Sequence, residues 1–209
     1  MSFTSVLFIF AYFPLCIAGY SLASIIEHRC RLAEKARLKD WLLIAASLGF
    51  YLLNAGFGTI AYLCLYVIAV YLMGKLLEKK KETLPAALCL AVLLAVLYYC
   101  KYFSYVGGLI NGIAGKSLIT AKTVIAPLGI SFLSFSAISY ILDIRRGDAE
   151  SGSFTDAALY LTFFPKFASG PIVLWKDFRA MTAHRTLTAA KYAEGIERIC
   201  LGFAKKLIL

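Results

Sequence analysis

The sequence predicts an all-α, polytopic membrane protein: several transmembrane helices, shorter re-entrant or interfacial helices, and the pattern of a truncated part of a larger helical bundle. Three observations carry that expectation. Of the 209 residues, 61% are hydrophobic and 16% are charged, against about a quarter charged in a soluble domain, and mean hydropathy is +0.77. Residues 3–26, 41–74, 84–100 and 123–142 form runs without a single charge, each near or above the roughly 20 residues that cross a bilayer. The charged residues sit in the loops between those runs.

Taken in order, residues 3–26 read as a retained first helix and not as a signal peptide. They lack a basic leader, the apolar run is too long, and no small-residue cleavage site stands out. The loop 27–40 carries Arg29, Arg31, Lys35, Arg37 and Lys39. The next run, 41–74, would be roughly 50 Å long as one helix, too long for a single span. It holds a natural break, "NAGFG", at 54–58, so two helices are expected, about 41–53 and 57–74. Each is shorter than a standard span, so the membrane is locally thin or the helices cross incompletely. A second basic loop, 75–83, holds Lys75, Lys79, Lys80 and Lys81.

The helix expected at 84–103 starts with Pro85, where a missing N–H is harmless. It ends in "YYCKYFSY". Tyr98, Tyr99, Tyr102, Phe103 and Tyr105 read as an interfacial aromatic belt, with Lys101 snorkelling to headgroups. The stretch "VGGLINGIAG" reads as a loop and not as a nucleotide site, because no strand precedes it. Within 104–121 the only basic residue is Lys116. The positive-inside rule then puts the loops 27–40 and 75–83, and the one holding Arg145 and Arg146, in the cytoplasm, with 104–121 and the N-terminus outside. That distribution accounts for the net charge of +10 without a nucleic-acid partner, which is not expected.

In the span 123–144, helical spacing puts Ser131, Ser139 and Asp143 on one side, with Ser136 nearby. A polar stripe of this kind faces protein or a wet cavity. Packing by small residues and a substrate-cavity wall both fit. Asp143 can pair with Arg145 or Arg146. The segment 157–175 is expected to be re-entrant or kinked, because "LTFFPKFASGPIVLWKDF" puts Lys166 near the middle of an apolar run, at a cost of roughly 2.5–3.5 kcal/mol in lipid. Pro165 and Pro171 remove backbone donors, and Gly170 loosens the chain. Either the segment turns inside protein or beside a cavity, or it is a kinked span with Lys166 snorkelling. Ser169, Gly170 and Pro171 are the expected turn. Residues 189–206 form an amphipathic helix, with Tyr192, Ile196, Ile199 and Phe203 on one face and basic residues towards anionic lipid.

Cys16, Cys30, Cys64, Cys89, Cys100 and Cys200 show no CxxC pair and no metal spacing, so neither a disulfide framework nor a zinc site is expected. No bound cofactor or metal is expected. His28 lies in the first basic loop and His184 in a polar connection, and neither context suggests a catalytic base. No catalytic triad or phosphate loop is present.

Three ordered segments carry a resemblance. Residues 127–132 read P-L-G-I-S-F, 163–172 read F-F-P-K-F-A-S-G-P-I, and 202–206 read G-F-A-K-K. They resemble the characteristic segments P-x-G-I-S-F, F-F-P-x-x-x-x-G-P-I and G-x-x-K-K of the membrane-bound O-acyltransferase family, and most closely its bacterial alginate O-acetylation branch. The resemblance is good from about residue 41 and strong from 123 onward.

It implies acyl transfer from a cytoplasmic thioester donor (acetyl-CoA or an acyl carrier) to a hydroxyl acceptor, here an acetyl group to an exported polysaccharide such as alginate. It also implies extracytoplasmic polysaccharide-acetylation partners, a bacterial inner membrane and lipid contacts. The 163–172 segment would shape the cytoplasmic mouth for the donor, with Lys166 meeting an anionic donor or lipid. The family's essential histidine lies downstream of G-x-x-K-K, beyond Leu209, and neither His28 nor His184 matches it. The 209 residues are therefore expected to be the N-terminal portion of the enzyme and inactive alone. D-alanyl transfer to teichoic acid, and a non-enzymatic transporter subunit or scaffold, are the competing readings.

Overall fold

The structure is a computed structural model describing residues 5–29, 37–79, 82–114, 128–167, 170–183, 185 and 188–208. Every regular element among them is helical, so the all-α expectation holds. Among the described residues, three helices are long and apolar enough to cross a membrane: Phe8–Glu27, Phe57–Lys79 and Thr83–Lys101. The chain divides into two compact units, Met1–Leu42 with Ala180–Leu209, and Leu43–Arg179.

In the first unit, α1 (Phe13–Arg29) follows a widened π turn, Phe8–Tyr12. Phe13 N–H reaches back five residues to the Phe8 carbonyl. The wide turn sits directly before Pro14, which has no N–H to continue an α ladder. Two ion-pair clusters tie the segment ends. The buried Glu27 carboxylate accepts from Lys39 Nζ at 3.0 Å and from its backbone N–H at 3.0 Å. Asp40 lies between Arg37 at 2.9 Å and Arg185 at 2.8 Å. Helix α10 (Ala189–Ile208) carries the amphipathic pattern; its Tyr192 hydroxyl bonds the Ser21 hydroxyl, while Ile196 and Ile199 are exposed.

Helix α2 (Leu38–Ala55) enters the second unit and stops at Gly56, whose φ of 77° is left-handed. That is the break expected at "NAGFG". The following helix α3 (Phe57–Lys79) has 23 residues, about 35 Å at 1.5 Å each. It is not the short helix expected from 57–74. Of the basic residues that seemed to close it, Lys75 lies inside the helix and Lys79 on its last turn, where a cation complements the helix dipole; Lys80 and Lys81 lie outside the described residues. Helix α4 (Thr83–Lys101) ends in a kink at Tyr102, and α5 (Phe103–Ala114) follows. The glycine-rich stretch expected to be a loop is thus helical. It contains no proline, and the helix cost of about 1 kcal/mol per glycine is tolerated on a segment apolar enough for lipid.

Helix α6 (Ile130–Arg146) is the centre of this unit and packs on α3, α4 and α7 (Phe154–Thr162). Left-handed glycines bound it, Gly129 at φ 71° and Gly147 at φ 79°, a conformation other residues adopt only at a cost. The core runs through Leu63, Val67 and Val70 of α3, Leu93 of α4, Leu133, Ala137 and Ile141 of α6, and Ala157–Leu161 of α7. A Cβ on Gly74 would lie 2.4 Å from Tyr140 Cε1, so α3 and α6 approach over a bare backbone. After α7 come α8 (Phe164–Phe167), an extended stretch, and α9 (Trp175–Ala183). Neither α7 nor α9, at nine residues each, is long enough to span a bilayer.

Candidate functional site

The F-F-P…G-P-I segment lies against the C-terminal half of α6. Helix α7 delivers it. Ser153 and Asp156 form a reciprocal capping box at the start of that helix, satisfying two otherwise orphaned N–H groups. At the far end Phe163 leaves helical geometry. Phe164 is then fixed by its N–H donating to Ser47 Oγ at 3.1 Å and by its ring lying 5.8 Å from that of Phe50. Pro165 is exposed.

Lys166 turns inward and is 8% exposed. Its backbone carbonyl accepts from Gly170 N–H at 3.2 Å. A Cβ on Gly170 would come within 2.4 Å of Lys166 Cα, so the turn closes onto the lysine backbone and only glycine fits. Ser169, expected in this turn, lies outside the described residues. Pro171 and Ile172 are exposed beyond it.

The Lys166 amine lies over the Tyr160 ring, 3.5 Å from its centroid, with the Phe178 ring at 5.7 Å. Trp175, fully buried, packs edge-on against Tyr160 at 5.1 Å and Tyr140 at 4.8 Å. Each of the three outer polar tips is satisfied by backbone: Trp175 Nε1 donates to Glu150 O at 2.9 Å, Tyr140 Oη to Ser151 O at 2.9 Å and Tyr160 Oη to Val173 O at 2.8 Å. By contrast, Lys166 Nζ has no hydrogen-bond partner among the described residues. Burial pushes its pKa down to about 7, because an ammonium loses its hydration there. The snorkelling reading of Lys166 is thereby corrected: the side chain is packed into protein, against the faces of Tyr160 and Phe178.

Ser139 and Asp143 sit beside this box and do a definite job. Ser139 Oγ accepts from Trp175 N–H at 3.1 Å, and Asp143 Oδ2 accepts from Lys176 N–H at 3.0 Å. Ser139 Oγ also lies 3.4 Å from Asp143 Oδ2. Together they supply the N-terminal cap that α9 lacks in its own sequence. The pairing expected between Asp143 and Arg145 or Arg146 is replaced by these bonds. The reason is geometric: Asp143 faces the core, while both arginines are exposed and Arg145 reaches Thr83 Oγ1 at 3.2 Å.

Ser131 does not join them. It lies at the opposite end of α6 and accepts from Lys101 Nζ at 3.2 Å, so Lys101 engages protein as well as the interface. The expected stripe is therefore two separate polar places, Ser131 lying about 12 Å from Ser139 and about 18 Å from Asp143 along the helix at 1.5 Å per residue. Sequence reading missed Tyr160, Trp175 and Phe178. The signal was present in "WKDF", whose aromatic residues at i and i+3 share one helix face. Cys30, His184 and Pro127 lie outside the described residues.

Among proteins of known name, the chain is 31% identical over 221 aligned positions to the "probable alginate O-acetylase" of Azotobacter vinelandii, covering all of this chain and 41% of that protein. It is 25% identical to the peptidoglycan O-acetyltransferase of Helicobacter pylori, over 99% of this chain and 44% of the relative. With the teichoic acid D-alanyltransferase of Bacillus subtilis it shares 29% identity over 73% of this chain and 39% of the relative. The chain thus spans about two fifths of the length of the relatives it matches. No family model and no solved structure matches it.

Proposed function

This chain belongs to the membrane-bound O-acyltransferase family, and from that premise we propose that it forms part of an enzyme moving an acetyl group from a cytoplasmic thioester donor to hydroxyls of an exported polysaccharide. The observation that carries this is the match to alginate O-acetylases along the whole chain, which joins three motifs in family order. The donor is an acetyl thioester, on a coenzyme or an acyl carrier. Extracytoplasmic acetylation proteins receive the product. The chain crosses a bacterial inner membrane several times with its N-terminus outside; the basic residues clustered within 27–40 and 75–83 support that orientation.

In this reading the box around Lys166 belongs to the donor side. Pro165, Gly170 and Pro171 present its outer rim, and Ser139 with Asp143 hold α9 in place beneath it. No residue of this chain is assigned as the proton acceptor. That role belongs to the histidine that the family resemblance puts elsewhere, an imidazole with a pKa suited to a sugar hydroxyl.

The test is O-acetylation in membranes expressing the complete reading frame that holds this chain. Labelled acetyl thioester and a polyuronate acceptor should give alkali-labile label on the polymer. Label on teichoic acid from a D-alanyl donor, with none on polyuronate, would move the protein to the D-alanyl transfer branch. No transfer with either acceptor would defeat the enzyme reading and favour the transporter or scaffold alternative.

A further inference from the structure

An enclosed amine without a hydrogen bond is costly to keep, and among the described residues only the Tyr160 and Phe178 ring faces offset that cost for Lys166. The charged and titratable groups on the elements packed against it are engaged elsewhere or exposed. On α6, Asp143 accepts from Lys176 N–H. On α7, Asp156 is held by Ser153 and by Arg179 at 2.8 Å, while the Tyr160 hydroxyl donates to Val173 O. On α9, Lys176 and Asp177 face outward. A methionine would fill the same space without the desolvation cost. Packing therefore does not explain a lysine here, and three N–H donors aimed at no acceptor mark a group made for an outside ligand.

We propose that Lys166 is a phosphate receptor on the donor side, whose ammonium leaves the Tyr160 face to pair with the phosphate of a phosphopantetheine-type thioester. This inference rests on the acyltransferase reading above. The geometry limits what has to move. Gly170 packs on Lys166 Cα, so the backbone stays put and the flexible stem alone swings past the exposed Pro165 and Pro171. A compact ammonium on such a stem suits phosphate as a point charge. Since burial holds the empty amine at about 7, much of it is uncharged at neutral pH, and an arriving phosphate anion draws a proton onto it. Binding and proton uptake are then one event.

The experiment is titration calorimetry of the full chain in lipid nanodiscs, with acetyl-pantetheine 4′-phosphate against acetyl-pantetheine. The phosphorylated probe should bind at least about tenfold tighter, the value of one charged contact. Between pH 7 and 8.5, repetition in buffers of different ionisation enthalpy should show uptake approaching one proton. K166Q should abolish both the preference and the uptake, and K166R should keep the preference. Equal binding of the two probes by the unaltered chain, or a preference without proton uptake, overturns the inference and leaves the acyltransferase reading standing; this readout needs no variant to fold. Binding of neither probe overturns both. Nanodiscs of zwitterionic and anionic lipid separate the phosphate source. If anionic nanodiscs alone erase the tenfold preference, Lys166 is a lipid-headgroup site and the donor assignment fails.

Discussion

Replacing Lys166 by methionine should stabilise the protein at neutral pH, against the usual direction for a core substitution. The drop from an ordinary 10.5 to about 7 corresponds to roughly 5 kcal/mol of preference against the buried charge. The Tyr160 and Phe178 faces return about 2 kcal/mol of cation–π attraction, leaving about 3 kcal/mol for an unbranched apolar side chain to recover.

The pH dependence separates this from simple packing. Between pH 7 and about 10 the unfolded chain keeps a proton on Lys166 that the folded chain has lost. Stability of the unaltered protein should therefore rise with pH across that window, by about 1.4 kcal/mol per unit from this group. Below 7 the deficit is complete and the group contributes no further slope. Denaturation in mixed micelles with increasing dodecyl sulfate, followed by tryptophan emission from pH 6 to 9.5, measures both quantities. The gap between Lys166→Met and the parent should be about 3 kcal/mol at pH 6.5 and should narrow as pH rises. Parallel pH profiles for the two proteins, or a less stable variant at pH 6.5, would refute the reasoning.

Three further outcomes follow from the same geometry. Gly170→Ala should destabilise by about 2 kcal/mol or more, because its Cβ meets the Lys166 backbone at 2.4 Å and not a movable side chain; trypsin sensitivity at Lys166 should rise with it. Gly74→Ala should cost about 1–3 kcal/mol through overpacking against Tyr140, with loss of near-ultraviolet dichroism from the Tyr140–Trp175 pair. Ser153→Ala breaks a capping box and should cost about 1 kcal/mol, seen as faster amide exchange in the first turn of α7.

How far the sequence carried the reading depended on the kind of force involved. Charge-free runs reported the apolar solvent directly, so the membrane class and the break at Gly56 were legible. Helix ends were not. The basic residues after Gly74 looked like a loop because charge was read as an exit from the helix, yet α3 carries Lys75 and Lys79 on its own last turns. The glycines of "VGGLINGIAG" misled for the matching reason: local propensity is weak against a long apolar face. At the site, the anomaly of a lysine between two prolines was visible, and so was a turn around Gly170; that only glycine fits there was not. The partners of that lysine were not, since Tyr160 and Phe178 meet it only when α7 and α9 fold against each other. Ser139 and Asp143 were correctly read as polar and inward, but their partners are backbone N–H groups 36 and 33 residues away, which no periodicity encodes.

That borrowed cap has a consequence for how the chain is made. The Trp175 and Lys176 N–H groups that open helix α9 are held by Ser139 and Asp143, from an element synthesised earlier. A nascent chain that has just released "LWKDF" therefore has no reason to keep those residues helical until α6 is seated. Assembly order is written into the contact: α6 settles first, and α9 forms on it as a template. Stalled translation products ending near residue 190 should show α9 protected from exchange only when Ser139 and Asp143 are both present, while the same stretch as a free peptide stays uncoiled.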